Sequence, residues 1–278
     1  MVRFLCSSGA LITSRNGRNY KLLEQAEREL TSEGFEFMMY PVWYENWEEI
    51  ATDVAAMDIS VITFHVDKSV GELISRNEEG DREQARENFT INCRMAQMMG
   101  AKLLVLHLWG GMPSDRNIDV NIKEYARLRK IAEEYELLLT IEDVPCNQEN
   151  PLKHMVALYK QYPDVTFTFD IRFAAFHGLV DQFLSKENAW MWQGAIKHIH
   201  IGDFAGESMD WGALRNCLHP GEGKIDFARL FNHLANVGYE GTVTVESTSV
   251  AEDGVMLTEK LNDTFAYLRR LEAESNKG

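Results

Sequence analysis

Four short apolar runs, each with a residue able to hold a metal ion at its carboxyl end, constrain this chain more than any other feature. They read LLLTIE at 137–142, VTFTFD at 165–170, IKHIHI at 196–201 and GTVTVE at 241–246. The residues at their carboxyl ends that carry chemistry are Glu142, Asp170, His200 and Glu246. Side chains of a β-strand alternate between its two faces. One face then carries Leu138, Thr140 and Glu142; Thr166, Thr168 and Asp170; Ile196, His198 and His200; and Thr242, Thr244 and Glu246. The opposite faces are apolar: Leu139 and Ile141, Phe167 and Phe169, Ile199 and Ile201, Val243 and Val245. Such strands fit a barrel wall, with helices covering the outer face and the inner face opening into a site at the carboxyl end. Carboxylate, carboxylate, imidazole and carboxylate are also ligand types that hold a divalent metal while leaving positions open.

Strand and helix patterns alternate along the rest of the chain. Strands are expected over 2–6, 35–40, 59–65 and 102–107, and helices over 20–33, 47–56, 81–99 and 120–135. Pro151 is placed to open a helix over 151–161. A helical region over 179–193 reads as two pieces, 226–237 as a helix capped by Asp226, and 256–273 as the last helix. About eight βα units result, the count of a (β/α)8 TIM barrel, in a single domain over 1–278. Steps of 28 residues from Glu142 to Asp170 and 30 from Asp170 to His200 suit one βα repeat each. The 46 residues from His200 to Glu246 leave room for a long loop at the site.

Composition narrows the partners. With 28 Lys and Arg against 43 Asp and Glu, the net charge of −15 opposes general binding to nucleic-acid backbones. Cys6, Cys93, Cys146 and Cys217 are far apart and form no C-x-x-C, which argues against zinc fingers and a dense disulfide framework. No run approaches the ~20 apolar residues of a membrane span. The expectation is a cytoplasmic protein with reduced thiols, no membrane and a small-molecule partner.

Further residues are candidates for substrate contact. His65 and His107 end the apolar runs ISVITFH and KLLVLH and would reach the same mouth, to bind substrate or a second metal. His198 shares the face of His200 but lies deeper, as a packed or supporting histidine. Trp109 follows His107 directly, with Gly110 and Gly111 behind it, and an indole can cover the apolar face of a sugar. His219 opens the turn-rich HPGEGKIDF segment and joins the substrate-contact set.

These segments resemble the xylose isomerase-like TIM-barrel superfamily, which includes sugar isomerases and epimerases, hydroxypyruvate isomerases, inosose dehydratases and AP endonucleases of the second family. The matching pieces are TIED, FDIRFA, HIHIGD, PGEGKIDF and VTVES. The resemblance implies a ligand set of Glu142, Asp170, His200 and Glu246. The chain departs from it at Phe173, where many members carry histidine, and at Gly202, where lysine is common.

The implied chemistry is isomerisation or epimerisation of a small sugar or related hydroxy-carbonyl compound, by proton transfer through an enediolate. One divalent ion (Mn²⁺, Mg²⁺, Co²⁺ or Zn²⁺) would serve as cofactor, with Glu142 and Glu246 as the acid–base pair. A dehydratase of a sugar or cyclitol-like substrate, an AP endonuclease-like nuclease and a non-catalytic sugar-binding barrel are the alternatives. Barrels of this type often self-associate, so a homo-oligomer is one expected state.

Overall fold

A parallel strand cannot be reached from its neighbour through a tight turn, so a crossover, usually a helix, must join the two. The computed structural model of this protein describes residues 2–277. Its strands are β1 (Arg3–Ser7), β2 (Phe35–Met38), β3 (Val61–His65), β4 (Leu103–Leu106), β5 (Leu138–Glu142), β6 (Thr166–Asp170), β7 (Ile196–Ile201) and β8 (Thr242–Val245). They close in sequence order into a barrel, as the strand–helix alternation predicts. The main helices are α1 (Leu23–Glu29), α2 (Trp47–Ala56), α3 (Ser69–Arg76), α4 (Asp81–Met98), α5 (Ile118–Glu134), α6 (Pro151–Gln161), α7 (Ile171–Phe176), α8 (Phe227–Val237) and α9 (Thr258–Ser275).

Several expected boundaries move for local reasons. The helix expected over 20–33 is a 3-10 turn at Tyr20–Leu22 followed by α1, which ends at Glu29. Leu30 turns extended there, and the next residue, Thr31, donates its amide to Asn262 Oδ1 at 2.8 Å. The strand over 102–107 stops at Leu106, so His107 stands just beyond it, as Glu246 does beyond β8. The region over 179–193 breaks into Val180–Phe183, Lys186–Asn188 and Met191–Ala195. Helices α3 and α7 were not expected. Both start within four residues of a strand end; α7 spans under two turns, while α3 does carry a short period, burying Val70 and Ile74 four residues apart.

The chain divides into two compact units, Glu36–Thr168 and the remainder on either side of it. Within Glu36–Thr168, β3, β4, β5 and β6 pair in parallel, with His65 level with Val105 and Glu142 with Thr168. The inner face carries polar side chains that hydrogen-bond within the unit. Thr140 Oγ1 donates to Leu104 O at 2.7 Å and lies 2.7 Å from Thr168 Oγ1, while Thr63 Oγ1 donates to Glu36 at 3.0 Å. The outer face is apolar and covered: α4 buries Ala85, Phe89, Cys93 and Ala96, and α5 buries Ile122, Tyr125, Leu128 and Ala132.

In the other unit, β7 pairs β8 and β8 pairs β1, with His200 level with Thr244. Helix α8 buries Phe227, Leu230, Phe231 and Leu234, each worth about 1.5–3 kcal/mol when fully removed from water. Asp226 caps it by accepting from Arg229 N at 2.9 Å, as expected, and Gly238 ends it at φ +64°, a conformation glycine adopts without strain.

Gly71 sets how closely α3 approaches the chain after β4. A methyl group there would sit 2.0 Å from the His107 carbonyl oxygen. Backbone cannot yield as a side-chain tip does, so Gly71→Ala is expected to cost about 1–3 kcal/mol. At about 2–4 °C per kcal/mol for a protein of this size, calorimetry should show a clear fall in Tm. An unchanged Tm would mean that α3 does not depend on this close approach.

Candidate functional site

Glu36–Thr168 contributes two imidazoles and a carboxylate at neighbouring strand ends. His65, His107 and Glu142 are buried, and their ligand atoms all lie within 4.8 Å of one another. His107 Nε2 lies 2.6 Å from Glu142 Oε2, and His65 Nε2 lies 3.5 Å from the same oxygen. Burial pushes the His107 pKa down to about 4, against the pull of the Glu142 carboxylate in the other direction. At neutral pH this contact is therefore a hydrogen bond from a neutral imidazole to a carboxylate, not an ion pair. His65 Nδ1 lies 2.8 Å from Val66 O, and a carbonyl can only accept. Nδ1 is therefore the donor to Val66 O and Nε2 is the nitrogen on the Glu142 side, the arrangement that orients a ligating or substrate-binding histidine.

The other unit supplies Asp170, His200 and Glu246. Asp170 closes β6 and caps α7, its Oδ1 accepting from Arg172 N at 2.7 Å and Phe173 N at 3.0 Å. Two amides on one oxygen fix the carboxyl plane and direct Oδ2 elsewhere. His200 Nδ1 lies 3.6 Å from Glu246 Oε1. His198, deeper on the same face, is fully buried between two hydroxyls, with Nδ1 2.5 Å from Thr242 Oγ1 and Nε2 3.1 Å from Thr244 Oγ1. It is the packed histidine that strand parity predicts.

The loops modify two of the substrate-contact expectations. Trp109 offers no face to a ligand: it is completely buried, and its indole N–H donates to Val144 O at 3.2 Å. His219 is 4% exposed, with Nδ1 2.7 Å from Thr264 Oγ1 and Nε2 3.2 Å from Ser249 Oγ. Burial depresses its pKa. The ring is thus committed to the protein, and its reach to a ligand is correspondingly small.

Sequence reasoning missed what Asp203 does. Its fully buried carboxylate accepts from four main-chain amides: Phe204 and Ile225 at 2.8 and 3.1 Å on Oδ1, and Gly221 and Gly223 at 2.9 and 2.8 Å on Oδ2. The PGEGKIDF segment is wound around this carboxylate. A Cβ at Gly223 would fall 2.4 Å from Asp203 Oδ1, so glycine is required there. The signal available in sequence was an aspartate after the β7 run followed by a glycine-rich turn. Gly202 is explained in the same way, since a Cβ there would lie 2.5 Å from Cys217 Sγ. Phe173 is buried under the Arg172 guanidinium, 4.6 Å from its ring.

The side chains at these strand ends offer carboxylate oxygen and imidazole nitrogen. That chemistry suits Mn²⁺, Mg²⁺, Co²⁺ or Zn²⁺ without choosing sharply among them. Among the described residues, no helix is long and apolar enough to cross a membrane.

Comparison with known proteins places this geometry in context. An uncharacterized protein of Methanocaldococcus jannaschii is 25% identical over 206 residues, or 68% of this chain. The chain in turn spans 66% of that protein's length, just under two thirds. Among solved structures, a D-tagatose 3-epimerase-like protein superimposes with a TM-score of 0.69 at 20% identity, over 97% of this chain and 99% of its own. The D-psicose 3-epimerase of Clostridium cellulolyticum H10 gives 0.73 at 15% identity, over 98% and 99%. The IOLI protein, solved with a zinc atom, gives 0.72 at 15% identity, over 99% and 98%. At these identities the superpositions establish a shared fold. The sequence pattern of one family, described as xylose isomerase-like TIM barrel, matches residues 27–271, and the chain belongs to that family.

Proposed function

We propose that this protein is a metal-dependent isomerase or epimerase of a small sugar or related hydroxy-carbonyl compound. The observation that carries the reading is the placement of Glu142, Asp170, His200 and Glu246 at the carboxyl ends of consecutive strands of a closed parallel barrel. In such barrels the chemistry sits at that end. The neighbouring folds that bear sugar epimerase names support the same class of reaction.

Glu142, Asp170, His200 and Glu246 are the proposed metal ligands. When bound, a divalent ion supplies Lewis acidity to a substrate carbonyl and offsets the negative charge that develops on it. The protein's own contribution is orientation and proton transfer. Asp170 is held by two amides through Oδ1 and can offer Oδ2. Glu142 and Glu246 each have two carboxylate oxygens, so either can ligate through one and carry a proton on the other. One removes the proton from the carbon beside the carbonyl and its counterpart returns one. Delivery to the opposite face of that carbon epimerises it, and delivery to the adjacent carbon interconverts aldose and ketose. His65 and His107 hold a substrate oxygen beside Glu142. Trp109 and His219 act through the loops they anchor.

The purified protein is expected to carry about one divalent ion per chain after reconstitution with Mn²⁺, and His200→Ala is expected to lose it. Equal metal content in both proteins, measured by elemental analysis after desalting, would remove His200 from the ligand set.

Turnover in D₂O should place deuterium on the carbon beside the carbonyl of the product. Glu246→Gln should slow turnover by about 10²–10⁴-fold, the usual worth of general acid–base catalysis. Full activity in Glu246→Gln would end the acid–base assignment, and loss of a hydroxyl from the product would identify a dehydratase instead.

A further inference from the structure

We infer that Asp115 is a positioning residue for the strand-end pair His107 and Glu142. Asp115 lies on the loop between β4 and α5 and is 2% exposed. Its Oδ1 accepts from the amides of Asn147 and Gln148, both at 2.9 Å, and its Oδ2 accepts from Glu149 N and His154 Nε2, also both at 2.9 Å. All four donors belong to the loop after β5 or to α6, which follows it. Burial alone would raise the Asp115 pKa, but His154 and the three amides outweigh it and hold the carboxyl far below its usual range.

Two neighbours extend the connection toward the site. Ser114 Oγ donates to Pro145 O at 3.3 Å, and the Trp109 indole donates to Val144 O at 3.2 Å, with the Trp109 ring packed edge-on against His154 at 5.4 Å. Trp109 is two residues beyond His107, and Val144 is two residues beyond Glu142. The clamp thus joins the two segments that leave β4 and β5 directly after the groups that meet at 2.6 Å. Ser114 is held at φ +47°, a backbone conformation costly for a residue with a side chain, and such outliers persist where the surroundings over-determine them.

Asp115, Cys146 and His154 are also metal-ligand types with mutually close ligand atoms. A carboxylate has about four lone-pair positions, however, and the four N–H donors occupy them. Their role is therefore mechanical: with Asp115 in place, the β4 and β5 loops move as one piece and the His107–Glu142 separation is fixed. This inference rests on the proposed metal site for its functional readout and on geometry alone for its structural one.

The test compares wild type with Asp115→Ala and Asp115→Asn, each first shown by circular dichroism and thermal melting to be folded at the working temperature. In metal-free protein, exchange of the Trp109 indole proton, followed by NMR, should accelerate at least ~10-fold in Asp115→Ala, because the loop that accepts it is released. Unchanged exchange would overturn the clamp. For metal affinity, Mn²⁺ titrated into each protein by calorimetry should bind ~10–100-fold more weakly to Asp115→Ala, the usual effect of removing a group that orients a ligand. Asp115→Asn, which keeps an acceptor oxygen, should fall between the two. Equal Mn²⁺ affinity in folded Asp115→Ala and wild type would overturn the positioning role. If wild type takes up no Mn²⁺, the proposed metal site fails, and the clamp is judged by the indole exchange alone.

Discussion

A carboxylate taken out of water has to be met by donors, since an isolated buried charge costs several kcal/mol. At the strand ends of this protein that demand is met repeatedly by main-chain amides. Asp170 takes two, Asp203 four, and Asp115 three together with an imidazole. Hydrogen bonds to charged groups are worth about 1.5–3 kcal/mol each, roughly twice the neutral kind. Each aspartate therefore costs much to bury and recovers much by shaping the backbone around itself. The turn after β6, the long loop after β7 and the loop after β5 owe their shapes to these three side chains.

The arrangement separates two tasks. Asp203 and Asp115 have both carboxylate oxygens occupied by N–H donors and Asp170 has two amides on Oδ1, while Glu142 and Glu246 have imidazole neighbours at 2.6 and 3.6 Å. A group bound by several rigid amides is a poor proton carrier, because those bonds favour its ionised form strongly. A group beside an imidazole has instead a neighbour that can itself carry a proton. The proton transfer proposed here falls on the second kind of carboxylate and the scaffold is built from the first, with Asp170, its amides on Oδ1, serving in both.

Much of this was legible in the sequence because the barrel imposes short-range rules. Period-two alternation assigned inner and outer faces from LLLTIE to GTVTVE, and Thr140 with Thr168, and His198 with Thr242 and Thr244, meet as that parity requires. The strand-end histidines and carboxylates were found for the same reason. What stayed hidden depends on contacts between distant segments. Trp109 followed by two glycines reads like an exposed lid, and only the Val144 carbonyl, 35 residues on, explains why it is buried. His219 reads like a loop ligand until Thr264 and Ser249 claim its nitrogens. Asp115 sits in a Met-Pro-Ser-Asp turn of ordinary appearance, and its partners lie 32 to 39 residues away. Helix α7 escaped because six residues next to a strand cannot display a helical period, and α3 because its period, Val70 with Ile74, lasts only two turns.

The loop after β7 shows where such a protein is free to change. Asp203 reads amides, which nearly every residue type possesses, so the path of the 219–225 segment depends on one aspartate and a few glycines. Glu222 adds one contact of its own, accepting from His219 N at 2.9 Å, but the Lys224 side chain does not set that path and pairs outward with Glu207. Substitutions at such positions alter what the loop displays while leaving where it runs intact. A barrel built this way can exchange the groups a loop displays on a frame of unchanged shape, which suits a fold whose members at 13–20% identity still superimpose along nearly the whole chain.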